Sequence, residues 1–264
     1  MILRIAASAI VLSTAIASAQ STTFDLFLGS RQVGRDTYAL TKSGKGYKLN
    51  SRYVVKFQAR GDATTTPTTV SVDFTDDFKF DPEFAYLEGT SENMDSHLMT
   101  SYAPNKGRTE MVVARSYNGR QDSTTQAIGP DMVVLNSLDA GSAETLLRNL
   151  VSRATTPVAL SIYIPGQSSG GDGRGRGRES GKSSAPAAED AKATITGKWA
   201  KAADATGTLN GKPITLHSFT LTTEKTTWTF LADDSNELMK LSASSTPPAS
   251  AVRTGFKLDA SPAQ

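Results

Sequence analysis

Alternation with period two constrains this chain more than any other feature. Tyr47, Leu49, Ser51, Tyr53, Val55 and Phe57 fall on one side of an extended strand, while Lys48, Asn50, Arg52, Lys56 and Gln58 mostly take the other. Successive side chains of a strand point to opposite faces, so this pattern predicts a half-buried antiparallel strand with its apolar face inward. The same rhythm recurs at Phe24-Leu26-Leu28, Val70-Val72-Phe74, Met111-Val113, Val158-Leu160-Ile162-Ile164, Ile214-Leu216 and Trp228-Phe230. Asn118-Gly119 and Asn210-Gly211 suit two-residue hairpin turns, whose central residues both need positive φ. Ser43-Gly44-Lys45-Gly46 and Asp233-Asp234-Ser235-Asn236 read as slightly longer turns. The expected fold is mostly β: a curved antiparallel sheet, half-barrel or sandwich, with one short amphipathic α-helix.

That helix is expected near 142–153, where Ala143, Leu146, Leu147, Leu150 and Val151 repeat at helical spacing. Ser142 reads as its N-cap and Glu144 as an acid of its first turn. The helix is expected to pack on a sheet face or to plug the mouth of a curved sheet.

Met1 to Ala19 has one early cation, Arg4, an apolar run from Ile5 to Ile16, and the small residues Ala17-Ser18-Ala19. This is the pattern of a cleaved signal peptide, and the run is too short to span a bilayer. Cleavage there leaves a chain starting at Gln20 with no further transmembrane segment, placed in the periplasm or secreted. The sequence has no cysteine. Disulfides, lipid attachment at a first mature cysteine, cysteine zinc sites and thiol nucleophiles are therefore excluded. With 28 Lys+Arg against 26 Asp+Glu, the charge balance gives no reason to expect nucleic acid as a partner.

Four regions follow the leader: a main β region over 20–165 that includes the helix, a Gly/Arg/Ser-rich loop over 166–190, a hairpin-rich region over 191–258 that completes the sheet, and a tail over 259–264. Periodicity vanishes in the loop, which holds too little apolar surface to offset its ordering entropy. Its arginines Arg174, Arg176 and Arg178 alternate with glycine and lack the interleaved aromatics that stack bases.

Catalytic constellations are weak. Gly166-Gln167-Ser168-Ser169-Gly170 matches Gly-x-Ser-x-Gly, and Asp204 and His217 follow in hydrolase order. The residues after Ser168 cannot form the helix that such a nucleophile needs, so catalysis is not expected there. His97 and His217 stand far apart, and no cofactor or metal is expected. Asp76, Asp77, Asp81 and Glu83 read as an acidic turn between strands, with calcium ligation or glycoside chemistry as lesser alternatives. Tyr47, Tyr53 and Phe57, with Trp199 and Trp228 from the later region, are the candidate ligand-binding residues if the sheet curls into an apolar pocket. Core packing explains the same five and is the preferred reading of them.

Several stretches together resemble an uncharacterised family of exported bacterial β-proteins, known as domains of unknown function. They are Phe24-Asp25-Leu26-Phe27-Leu28-Gly29 with Val33-Gly34 and Tyr38; Val133-Val134-Leu135-Asn136 leading into Leu146-Leu147; Ile162-Tyr163-Ile164-Pro165; and Trp228-Thr229-Phe230 through Asn236-Glu237-Leu238-Met239-Lys240-Leu241 to Val252-Arg253. The resemblance implies a curved antiparallel sheet in the style of periplasmic lipid or lipoprotein carriers, with no catalytic residues to carry over. The leading expectation is a noncatalytic exported β-protein that binds a lipid or another apolar or amphipathic small molecule. An envelope-associated scaffold with a protein partner is the alternative, and a hydrolase comes third.

Overall fold

The computed structural model describes residues 21–59, 68–128, 133–134, 139–153, 158–163, 194–224 and 226–259. The expected leader, the Gly-Arg segment, Ser168 and the side chain of Phe57 lie outside the described residues. A meander opens the chain: β1 (Thr22–Leu28), β2 (Arg31–Ser43), β3 (Gly46–Ala59), β4 (Thr68–Phe80), β5 (Tyr86–Asn93), β6 (Leu98–Pro104), β7 (Glu110–Tyr117) and β8 (Arg120–Ala127). Then come β9 (Val133–Val134), α1 (Ala140–Arg153), β10 (Val158–Tyr163), β11 (Thr194–Lys201), β12 (Ala205–Leu209), β13 (Lys212–Thr223), β14 (Thr227–Ala232), β15 (Leu238–Ala243), β16 (Ala249–Arg253) and β17 (Phe256–Leu258).

The turns explain why neighbours pair. Asn118-Gly119 and Asn210-Gly211 both have positive φ at both positions, the conformation that a twist-compatible two-residue hairpin demands. The first expected longer turn is also a two-residue one. Ser43 pairs with Gly46, and only Gly44, at φ 60°, takes a left-handed conformation.

Strand pairing yields one fifteen-stranded sheet in the order β9-β10-β11-β13-β14-β15-β16-β1-β2-β3-β4-β5-β6-β7-β8. All its pairs are antiparallel except β9 with β10. The first strand thus sits mid-sheet, bonded to β16 on one side and β2 on the other. The sheet is not closed: among the described residues β8 and β9 are its two edges. Only four residues lie between Ile128 and Val133, so the five chain steps hold those ends within about 17 Å of each other.

Inward-facing residues from nearly the whole sheet meet in one core, from Tyr102 and Val113 on one flank to Trp199 and Leu221 on the other. A sheet whose flanks share a core must wrap around it, and α1 fills the inside. Ala140 to Leu147, Asn149 and Leu150 are all buried, so the helix is enclosed on most sides. Its cap is Asp139, not Ser142: the Asp139 Oδ1 accepts the Ser142 N–H at 2.6 Å. The helix therefore starts earlier than the apolar spacing indicates, and Glu144 falls in its second turn.

A small second layer covers the outer face. The first half of β13 pairs with β12, which also pairs with β17. Leu216 and Phe256 thereby bury against Leu231 and Met239 in a separate core.

Candidate functional site

Register decides which side chains meet inside the curved sheet. Tyr38, Ser51, Asp76, Ser91 and Thr100 form one cross-strand row. Asp36, Tyr53, Phe74, Asn93 and Leu98 form the next, and Gly34, Val55 and Val72 continue beyond it. Residues of the first row are buried or nearly so, whereas Tyr53, Val55, Val72 and Phe74 are only half-buried. Tyr53 and Phe74 stack with centroids 5.1 Å apart and planes 9° from parallel. One end of the lumen is thus an incompletely covered aromatic and aliphatic wall.

Within and beside that wall lie three buried carboxyl groups. Asp36 comes from β2, Asp76 from β4 and Asp139 from just before α1, with exposures of 0%, 3% and 4%. Asp36 Oδ2 accepts the Ala140 N–H at 2.7 Å, while its Oδ1 is buried with no hydrogen-bond partner among the described residues. Asp139 takes the Ser142 N–H on one oxygen and the Ser142 hydroxyl, at 3.1 Å, on the other. The Ser51 hydroxyl donates to Asp76 Oδ2 at 3.4 Å, Ser91 bonds the same carboxyl, and Asp76 and Asp139 share a hydrogen bond. Loss of water raises all three above the ordinary carboxylate range, and Asp139 pushes the other two up further. Asp76 reaches about 8. Burial, then the charges of Asp76, Asp139 and Asp36, also push the Tyr53 hydroxyl up.

The acidic-turn expectation is corrected here. Asp76 and Asp77 lie within β4, on opposite faces, and only Asp81 and Glu83 belong to the turn that follows. A signal for this was present, because Asp76 stands in the inward phase Phe74-Asp76-Phe78-Phe80, and Asp36 in the phase Asp36-Tyr38-Leu40. A charge in an apolar phase marks a buried charge.

Deeper along the helix, Glu144 Oε2 accepts the Tyr38 hydroxyl at 2.5 Å and the Leu238 N–H at 3.0 Å. Arg148 donates twice to Oε1, at 3.0 and 2.8 Å. Burial and the Glu144 charge keep the Tyr38 hydroxyl protonated well beyond its usual range.

The other aromatics singled out in the sequence are spread through the core. Tyr47 is partly buried and stacks on Phe84 at 4.2 Å. Trp199 and Trp228 flank Leu221 in one cross-strand row of the opposite half. Trp199 is 1% exposed and stacks on Phe219 at 5.2 Å; Trp228 is 7% exposed and its indole N–H has no hydrogen-bond partner among the described residues. The structure thus joins Tyr53 to an open wall and packs Tyr47 and both tryptophans.

On β13, His217 contacts Asp204 through Nδ1 at 3.3 Å and Asp234 through Nε2 at 3.0 Å. Asp204 is held below the usual range by that histidine first, then by the charge of Lys201. The outer grooves over β2 to β6 carry paired charges: Arg52 with Asp73, Lys48 with Asp77 and Lys79 with Glu88. Among the described residues no set of three His, Asp or Glu side chains is arranged to hold a metal ion.

No protein-family model matches this sequence, and no curated protein matches it. In fold the chain is similar to the crystal structure of a β-barrel-like protein of domain of unknown function DUF1849 from Brucella abortus. The TM-score is 0.54 with 10% identity, over 91% of this chain and 97% of that one. The expected resemblance to a domain of unknown function therefore has a structural counterpart, and at this identity the likeness is one of fold alone.

Proposed function

We propose that this chain is a noncatalytic, exported β-protein that takes an apolar or amphipathic ligand at the open end of its barrel. One observation carries the reading: Tyr53, Val55, Val72 and Phe74 face inward yet stay half-buried, while most of the remaining lumen is packed around α1. Apolar concave surface beside a few polar groups is what small-molecule sites are made of. The leader supports export to the periplasm or beyond.

Native mass spectrometry of protein purified from the periplasm should show copurified lipid-sized masses, and an apolar dye should bind saturably without unfolding the protein. Tyr53→Ala should weaken dye binding at least fivefold with little loss of stability. Trp228→Ala, in the packed half, should cost about 3–5 kcal/mol instead. If Tyr53→Ala destabilises on that scale, and neither dye nor copurified mass is found, the wall is core and the scaffold reading replaces this one.

A further inference from the structure

We propose that Asp36, Asp76 and Asp139 form a proton-held latch that seats the first turn of α1 in the barrel and releases it as pH rises. The proposal stands apart from the ligand reading, because it concerns only the helix and the strands around it.

Three chain segments converge on this turn. Asp36 accepts the Ala140 amide, and Asp139 caps the Ser142 amide and hydroxyl. Asp76 ties Asp139 to the wall through a carboxyl–carboxyl hydrogen bond. Two carboxylates have no proton to share, so this bond exists only while one of the pair is protonated. Asp76 is the donor: Asp139 already accepts from Ser142 on both oxygens, as a capping carboxylate does. Removing that proton puts two negative charges at hydrogen-bonding distance in a buried site, beside a third carboxyl.

The strain has one easy outlet. Asp36 and Asp76 are fixed in strands bonded on both sides, whereas Asp139 lies outside any strand. The helix end is the part that can leave.

The charges facing the cluster do not neutralise it. From β2 and β3 come the hydroxyls of Tyr38 and Tyr53, both kept neutral. On α1, Glu144 and Arg148 bond each other. Next to β15, Glu237 pairs with Arg253 of β16. Lys240 of β15 lies in the outer row with Leu231 and Val252. Arg115 of β7 shares the Asp76 row but stands three strands away, about 14 Å.

The sign follows from linkage. A carboxyl raised in the folded state binds a proton that the unfolded chain has already lost near pH 4, so its stabilisation falls as pH climbs through the folded value, about 8 for Asp76.

Hydrogen–deuterium exchange of the full chain at pH 6 and pH 9, corrected for intrinsic rates, tests this. Protection of peptides covering 139–147 should fall at least tenfold at pH 9, with β3 and β4 peptides unchanged. Asp76→Asn keeps a donor without a titratable proton, so its helix should stay protected at both pH values. Equal protection of the wild-type helix at both pH values overturns the latch. So does a fall shared by β3 and β4, or the same fall in Asp76→Asn. If Asp76→Asn does not fold, carboxyl-carbon NMR of the wild type decides: an aspartate titrating between pH 6 and 9 supports the latch, and its absence overturns it.

Discussion

Glu144 gathers four donors from three elements onto a side chain that is 6% exposed. Its removal orphans the Tyr38 hydroxyl, the Leu238 amide and the Arg148 guanidinium together. Leaving buried partners unsatisfied is dearer than losing a surface pair, so Glu144→Ala should lower stability by about 3 kcal/mol in urea denaturation. Glu237→Ala, which loses an Arg253 partner from a carboxylate 45% exposed, should change it by about 0.5 kcal/mol. Such residues were hard to see in advance. Glu144 looked like a first-turn acid, because the apolar stripe does not reveal that the helix begins at Ala140. The Asp36–Asp76–Asp139 cluster has no local spacing at all, since only the register of β2, β3 and β4 unites it. Its one trace in the sequence is a pair of aspartates in the wrong phase of their strands.

Elements were more legible, because their rules are local. Period two placed β3 with the right face inward, and Asn-Gly placed two hairpins. Gly211 tests how much such a turn contributes. It sits at φ 79° with open space where a side chain would grow, so Gly211→Ala isolates the backbone term and should cost about 1 kcal/mol by thermal melting. At Gly34 the backbone angle is ordinary, but an added methyl would run into the Val54 carbonyl of the adjacent strand. Gly34→Ala should therefore cost more than Gly211→Ala, although only the turn announces itself in sequence. The helix was legible as a helix. Its enclosure was not, because burial on the polar side depends on partners such as Glu83, whose carbonyl accepts from Asn149 at 2.8 Å.

At the scale of the whole molecule, order within the sheet is what sequence reading could least supply. Adjacent strands mostly pair, but nothing local places β1 between β2 and β16. Phe24 on that strand is fully buried in a core shared by both flanks. The two flanks should therefore unfold together: tryptophan fluorescence, which reports Trp199 and Trp228, and far-ultraviolet circular dichroism should give coincident denaturant transitions. Phe24→Ala should lower both midpoints alike; separated midpoints would show two independent units.

The position of β1 also sets a clock. Phe24 pairs with Arg253, so β1 waits for a strand far along the chain before its second side is filled. Contacts that distant in sequence form slowly. Until then β1 has an open flank, a ready template for any stray strand. Folding of this protein leaves its most central seam to be sewn late.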